Sequence, residues 1–177
     1  MNSKLQTLLD ASKHVLQSAS LMVALTTAAA AQEAVVVAPD PDALFFSADP
    51  KLNVNKQAAY HIFKDMLEAG HWDEAETYFT PAYIQHNPSI KSGRDGVVAF
   101  FTQVLKIQPK PIPEKMGAQV VSVTAEGDFV SVATVRTLKN PTDPSKTYTT
   151  TWFDMWRFVD GNANEHWDNA TLSEPQQ

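Results

Sequence analysis

The segment YTTTWFDMWRFVDGNANEHWDN, residues 148–169, carries the pattern that decides the fold. It contains three of the four tryptophans of the chain, and charged residues are set between its aromatic ones. Threonine and aromatic side chains favour a pleated, half-buried surface, and Asp160-Gly161 is typical of a tight hairpin turn. Because a plain core strand carries few ionisable groups, a hairpin that is both aromatic and charged is typical of a pocket wall.

The register of this hairpin decides which side chains meet. A two-residue turn at Asp160-Gly161 would place Asp154 opposite Trp167, whereas a three-residue loop starting at Val159 would place Asp154 opposite His166. We favour the three-residue loop, because it collects the polar groups on one face of the hairpin. That face would hold Trp152, Asp154, Trp156, His166 and Asp168. The other face would hold Phe153, Met155 and Trp167.

Helices are expected before these strands. An apolar stripe at helical spacing predicts a first helix from Asn55 to a C-cap at Gly70. A second, short helix is expected over residues 72–79, followed by a short extended piece over residues 83–88. A third is expected to open at Ser92 or Arg94 and to end before Pro109. Strands are expected over residues 116–125 and 128–138, so that helices followed by an antiparallel meander of about four strands predict an α+β fold.

Composition and charge restrict the class of protein. The chain has 177 residues, of which 44% are hydrophobic, and this suits one domain with a single core. Its net charge of −6 argues against nucleic acid or an anionic membrane as a partner. There is no cysteine, so the chain has neither a disulfide framework nor a thiolate nucleophile.

Residues 1–31 resemble an export signal. Lys4 and Lys13 precede an apolar run over residues 15–31, which ends in an alanine triplet of the kind that a signal peptidase cleaves. The alternative is an ordinary N-terminal helix. We expect cleavage before Gln32, a periplasmic or secreted protein, and no membrane association afterwards. Proline-rich residues 32–54 are expected to form a linker or a loosely docked arm, in which residues 44–46 pack on the domain. The domain then covers residues 55–172, and residues 173–177 form a tail.

Ionisable residues beside tryptophans indicate acid–base chemistry. Indole rings desolvate a nearby carboxylate, which raises its pKa towards that of a general base. A neighbouring histidine can then move a proton or stabilise an oxyanion. The candidate catalytic residues are Asp154, Asp168, His166 and His86. The candidate ligand-binding residues are Tyr83, Asn87, Trp152, Trp156 and Trp167.

Two other interpretations of these residues stay open. Asp154 and His166 would also suit a cross-strand pair that turns nothing over. The histidines and carboxylates would also suit a metal site, but their spacing matches no metal-binding motif. We therefore expect no metal.

The sequence resembles a known family in two segments. These are AAYHIFKDMLEAGHWDEAETYFTPAYIQHNPSIKSGRDGVVAFF and WFDMWRFVDGNANEHWDN, and the motifs Tyr83–Pro88 and Glu165–Asp168 are the sharpest parts. They are similar to the SnoaL-like branch of the NTF2-like superfamily, which includes polyketide cyclase-like and predicted aldol-condensation proteins. The resemblance covers roughly residues 55–170. It departs at residues 162–164, where the family more often has a lysine and two β-branched residues.

The resemblance implies a fold and two functions. The fold is a cone in which helices pack on a curved antiparallel sheet, with a pocket at its open end. The first function is proton abstraction next to the carbonyl group of a small hydrophobic substrate, without a cofactor, with Asp168 and His86 as the catalytic pair. The alternative is a non-catalytic domain that binds a hydrophobic ligand.

The resemblance also implies a homodimer that forms through the outer face of the sheet. In the favoured register this face carries Phe153, Met155 and Trp167, which would be an aggregation risk if they were left in water.

Overall fold

The main domain is an open sheet whose inner face is covered by helices. The computed structural model describes residues 33–172, so the expected export signal and C-terminal tail lie outside the described residues. The helices are α1 (Pro50–His61, continued by a π-helical stretch Ile62–Glu68), α2 (a 3-10 turn Trp72–Glu74, then Ala75–Tyr78) and α3 (Arg94–Ala99, continued by a π-helical stretch Phe100–Val104). The strands are β1 (Phe79–Gln85), β2 (Val120–Glu126), β3 (Phe129–Lys139), β4 (Thr147–Val159) and β5 (Asn162–Asp168).

The strand order is β1-β5-β4-β3-β2, so five strands form the sheet instead of about four. The extra strand is β1, which pairs with β5 in parallel, while all the other pairs are antiparallel. Residues 79–85 were expected to be the end of a helix and a short extended piece. Pro81 lacks an N–H, and the pairing of β1 is irregular between Phe79 and Ile84. The α+β plan is confirmed.

The N-terminal arm is docked on the domain. The main-chain N–H of Val35 donates a hydrogen bond to Thr149 Oγ1, and that of Ala38 donates to the carbonyl oxygen of Val120, both at 2.9 Å. The expected anchor, residues 44–46, packs through Phe45, which is fully buried, while Phe46 is largely exposed.

Helix α1 begins at Pro50, five residues earlier than expected. Asp49 caps it, since its carboxylate accepts from the N–H groups of Lys51 at 2.9 Å and Leu52 at 3.0 Å. Proline suits the first helical position because its missing N–H has no partner there. The Asp49-Pro50 sequence is therefore a helix-start signal, but the apolar stripe from which the helix was predicted begins only at a later residue.

The β4–β5 hairpin adopts neither of the two registers considered above. Its turn has two residues, and positive φ angles at Asp160 (49°) and Gly161 (81°) are those of a type I′ turn. Val159 pairs with Asn162 and Phe158 with Ala163, but the register then shifts. The shift leaves Asn164 unpaired in a β-bulge. The favoured three-residue loop is therefore wrong.

The expected division between the two faces is nevertheless present. Beyond the bulge, Asp154 pairs with Asp168 and Trp156 with His166, so all four side chains lie on the inner face. A two-residue turn without a bulge would pair Asp154 with Trp167. The bulge shifts this partner by one residue to Asp168, whereas the expected loop would have shifted it by one residue the other way, to His166. Both registers therefore place the same residues on the same face, because side chains alternate with a period of two.

The core lies between this inner face and the helices. The rings of Phe63 in α1 and Trp156 pack edge to face, with 5.6 Å between their centroids. The rings of Trp72 in α2 and Phe101 in α3 are stacked, with 3.8 Å between their centroids. Each fully buried large apolar side chain stabilises the fold by about 1.5–3 kcal/mol. Within residues 33–172, no helix is both long and apolar enough to span a bilayer.

The hairpin turn predicts a difference between two glycine substitutions. A Cβ at Gly161 would lie 2.9 Å from Val54 Cγ1, whereas a Cβ at Gly127 would have no atom within 4 Å. Both residues have positive φ, so each change to alanine costs about 1–2 kcal/mol through the backbone. We expect Gly161→Ala to lower the free energy of unfolding in urea by more than Gly127→Ala. Equal losses would show that the turn does not pack on Val54.

Candidate active site

A cavity of about 240 Å³ opens between the inner face of the sheet and the helices. Most of its wall is apolar and comes from the helices, β1 and β4. These apolar residues are Ile62, Phe63, Leu67, Trp72, Phe79, Ile90, Val97, Phe100, Phe101, Trp152, Trp156 and Ala170. Its polar lining residues come from β1, the segment that follows it, and β3 to β5: Tyr83, Gln85, Asn87, Thr134, Asp154, His166 and Asp168. The cavity thus combines a hydrophobic wall with a small set of acid–base groups, as ligand sites commonly do.

Three ionisable side chains of β4 and β5 form the centre of the polar group. They are Asp154, His166 and Asp168. One side-chain nitrogen or oxygen atom can be chosen from each so that all three atoms lie within 4.8 Å of one another. His166 Nε2 lies 3.1 Å from Asp154 Oδ1, and the histidine is only 6% exposed. The bulge at Asn164 places His166 and Asp168 on the inner face.

The Asp168 carboxylate is held by hydrogen bonds to both of its oxygens. Asn87 Nδ2 donates to Oδ2 at 2.7 Å, and the main-chain N–H of Ala170 donates to Oδ1 at 2.9 Å. These two hydrogen bonds fix the orientation of the Asp168 side chain in the cavity wall.

Gln85 lies beside His166 at the junction of β1 and β5, where the two residues are register partners. Its Oε1 lies 2.8 Å from His166 Nδ1 and accepts from the main-chain N–H of Asn87 at 2.9 Å. Both ring nitrogens of His166 are thus engaged by the protein.

Tyr83 supplies a hydroxyl group to the cavity. Its oxygen accepts from Trp156 Nε1 at 3.2 Å, and the residue is 2% exposed. Burial raises the pKa of the Tyr83 hydroxyl well above its ordinary value. Tyr83 therefore keeps its proton at physiological pH and can donate a hydrogen bond to a ligand.

The orientation of Trp152 is fixed from two sides. Its Nε1 donates to Asp154 Oδ1 at 3.3 Å, and the guanidinium of Arg136 lies 4.7 Å from the centre of its ring. Arg136 is itself buried, so this cation–π contact is shielded from water. Trp152 thus connects the wall of the cavity with the Asp154–His166 pair.

Two residues predicted for the site lie elsewhere. His86 Nε2 contacts Glu165 Oε1 at 2.9 Å, and the His86 ring stacks on Trp167 with 5.1 Å between centres. Glu165 and Trp167 alternate with His166 along β5, so they belong to the outer face. The pairing of His86 with Asp168 was wrong, and so was the assignment of Trp167 to the ligand.

Gln85 was missed, although the sequence contains a signal for it. In a strand, Tyr83 and Gln85 point to one face and His86 to the other, because side chains alternate. The sequence predicts only a short extended piece over residues 83–88, and the choice of His86 rests on its chemistry. The helix residues that line the cavity were not predicted as site residues, because their helical spacing indicates only that they face the hydrophobic core.

Asp154, His166 and Asp168 are also close enough together to hold one metal ion. Trp152 and Asn87 donate to the two carboxylates, whereas Gln85 engages His166 at Nδ1 and Nε2 is directed at Asp154. The expectation of no metal and no cofactor stays a prediction.

A comparison with protein families identifies the domain. The model of the SnoaL-like domain matches residues 60–166, which is more than half of the chain. The chain belongs to the SnoaL-like domain family. The matched range extends from α1 to His166 and so includes most of the cavity.

Solved structures include similar chains. A protein of Acidithiobacillus ferrooxidans, proposed to be a polyketide cyclase, is 16% identical with a TM-score of 0.48, and the match covers 70% of this chain and 89% of that one. One of Jannaschia sp. CCS1, proposed to be a SnoaL-like polyketide cyclase, is 20% identical with a TM-score of 0.48, covering 70% and 91%. An NTF2-like protein of unknown function from Burkholderia pseudomallei is 18% identical with a TM-score of 0.47, covering 66% and 89%. No curated protein matches the sequence.

Proposed function

We propose that this SnoaL-like protein is a cofactor-independent enzyme that removes a proton next to the carbonyl group of a small hydrophobic substrate. Isomerisation, cyclisation and aldol-type reactions share this step. The observation that carries the proposal is the position of Asp168. Two hydrogen bonds hold its carboxylate beside the Asp154–His166 pair, in a cavity whose other walls are mainly apolar.

Each group of the cavity has a role in this reaction. Asp168 takes the proton from carbon, and negative charge then develops on the carbonyl oxygen. Tyr83 and His166 Nε2 donate hydrogen bonds to that oxygen, which is the electrostatic contribution that enolate chemistry needs most. The apolar walls exclude water and so strengthen these interactions. Trp152 and Trp156 pack on the body of the substrate.

One observation favours the alternative, a domain that binds a hydrophobic ligand without turning it over. Asp154, His166 and Asp168 all have hydrogen-bond partners within the protein, so their arrangement is also that of a satisfied polar cluster. The two functions need the same cavity. They differ in whether Asp168 moves a proton.

The exchange of carbon-bound protons for deuterium tests the catalytic proposal. With 2-tetralone as the probe, we expect the protein in D₂O to accelerate loss of the α-proton signal in NMR spectra. Asp168→Asn should lower the rate by at least about 100-fold, since general bases typically contribute that much. Binding of the probe, measured by tryptophan fluorescence, should be retained.

Glu165→Gln is the matched control, because it is the same chemical change on the outer face of the same strand. It should leave the exchange rate unchanged. A wild-type protein that binds 2-tetralone and a series of other cyclic ketones, yet exchanges none of their α-protons, would contradict the enzyme and support the binding domain.

We further propose that two copies of the domain associate through the outer face of the sheet. This face exposes Ile84 (41%), Phe129 (40%) and Phe153 (51%), with Met155 and Trp167 partly covered between them. A symmetric contact would remove this apolar surface from water. A stable interface of this kind buries about 800 Å² on each partner.

Sedimentation velocity tests the dimer. Wild type should sediment as a dimer at micromolar concentration, and Met155→Asp should sediment as a monomer, because an unpaired buried carboxylate costs about 3–5 kcal/mol. Val104→Asp is the control, since Val104 is 66% exposed on α3, away from the sheet. A monomeric wild type would refute the dimer, and a dimeric Met155→Asp would place the contact elsewhere.

We also propose that the protein is exported to the periplasm or secreted. The support is the sequence of residues 1–31, with Lys4 and Lys13 before an apolar run and an alanine triplet. N-terminal sequencing of the protein from its host should then begin near Gln32. An intact Met1 on protein in the cytoplasm would contradict export.

A further inference from the structure

Gln85 decides which nitrogen of His166 carries a hydrogen. The main-chain N–H of Asn87 donates to Gln85 Oε1 at 2.9 Å, so the atom at this position must be the amide oxygen rather than the amide nitrogen. The same oxygen lies 2.8 Å from His166 Nδ1. A carbonyl oxygen can only accept hydrogen bonds, so Nδ1 must be the donor. The protonation of a histidine ring is set by partners of this kind.

The other ring nitrogen faces an acceptor. Nε2 lies 3.1 Å from Asp154 Oδ1. A neutral imidazole carries a single hydrogen, and Gln85 already holds it at Nδ1. If Asp154 were also ionised, two lone pairs would face each other across this contact. A second proton must therefore lie between Nε2 and Oδ1, on either the ring or the carboxyl group.

This proton count differs from that of an ordinary histidine–aspartate pair. In the ordinary pair, the neutral ring donates its only hydrogen to the carboxylate, and the pair has a charge of minus one. Here the pair has one more proton and is neutral overall. Asp168 stands beside it with hydrogen bonds from Asn87 and Ala170 to both of its oxygens, as an ionised carboxylate does.

We propose that Gln85 is a positioning residue that makes the Asp154–His166 pair retain a transferable proton next to the ionised Asp168. The resting site then contains a general acid and a general base at the same time. In its catalytic consequences this inference depends on the proposed function, but the proton count of the pair does not.

The arrangement suits a reaction in which one proton leaves carbon and another reaches oxygen. Asp168 removes the α-proton, the C–H electron pair forms the carbon–carbon double bond, and the carbonyl electron pair moves to oxygen. The proton between Nε2 and Asp154 then moves to that oxygen and gives a neutral enol. In D₂O the proton taken up by Asp168 exchanges with solvent, so the return step delivers a deuteron to carbon and takes the O–H proton back to the pair. The inference therefore identifies the substrates as neutral carbonyl compounds that enolise.

The protonation of the His166 ring can be measured directly. In ¹⁵N-labelled full-length protein near neutral pH, long-range ¹H–¹⁵N correlation spectra should show His166 Nδ1 in its protonated form. Gln85→Met removes the acceptor but keeps an unbranched side chain of similar length. In this variant the ring should change to the form with hydrogen only on Nε2, which donates to Asp154. Gln85→Glu keeps an acceptor oxygen and should keep Nδ1 protonated.

The activity of the same variants tests the catalytic consequence. Gln85→Met should lower kcat for deuterium exchange into 2-tetralone by about 100-fold, with little change in KM, because the acid is lost while the base and the walls remain. A packing role alone would not change the tautomer of His166. Retention of the Nδ1 hydrogen in Gln85→Glu, together with its loss in Gln85→Met, separates the two roles.

Failure of this inference is distinguishable from failure of the proposed function. A wild-type ring with hydrogen only on Nε2 would overturn the proton count, whether or not the protein is active. An unchanged tautomer in a folded Gln85→Met protein would overturn the role of Gln85. A wild-type protein with Nδ1 protonated that exchanges no α-protons would uphold the count and contradict the enzyme.

Discussion

The alternation of side chains along the β4–β5 hairpin is the constraint on which the cavity depends. Successive side chains of a strand point to opposite faces of the sheet. A single extra residue therefore decides which alternate side chains of β5 face the cavity. The bulge at Asn164 supplies that residue, and it is held by a hydrogen bond of 2.9 Å between Thr80 Oγ1 and Asn164 Oδ1. Without the bulge, Glu165 and Trp167 would face the cavity in place of His166 and Asp168.

The parallel strand β1 completes the site because it runs along β5. Pairing with β5 brings Gln85 beside His166 and allows Asn87, two residues further on, to reach Asp168. β4 and β5 bring the ionisable side chains together, and hydrogen bonds from β1 and the segment that follows it then orient them. Such support is what turns nearby ionisable groups into a defined site. On the outer face the same pairing places His86 on Trp167, away from the cavity.

The sequence predicted the fold class and the inner face of the hairpin, because periodicity and aromatic content are local properties. The exact register was wrong, since a bulge depends on contacts such as that of Asn164 with Thr80, which lies 84 residues away. His86 was assigned to the wrong face because the sequence did not predict strand β1. Pro81 and the short helix that precedes β1 obscure the alternation of apolar and polar residues along this strand. The cavity is lined by Asp154, His166, Asp168, Tyr83, Asn87, Trp152 and Trp156, whose catalytic and ligand-binding roles stay predictions. The first turn of α1 was missed because its cap precedes the apolar stripe.

The proposed function requires the cavity to present a base and an acid to one carbonyl group. A crystal structure of the protein with bound 2-tetralone would show whether it does. We predict the ketone oxygen within hydrogen-bond distance of Tyr83 Oη or His166 Nε2, with the α-carbon facing the Asp168 carboxylate. A ketone bound in the cavity with its oxygen directed to solvent and its α-carbon away from Asp168 would contradict the proposed function.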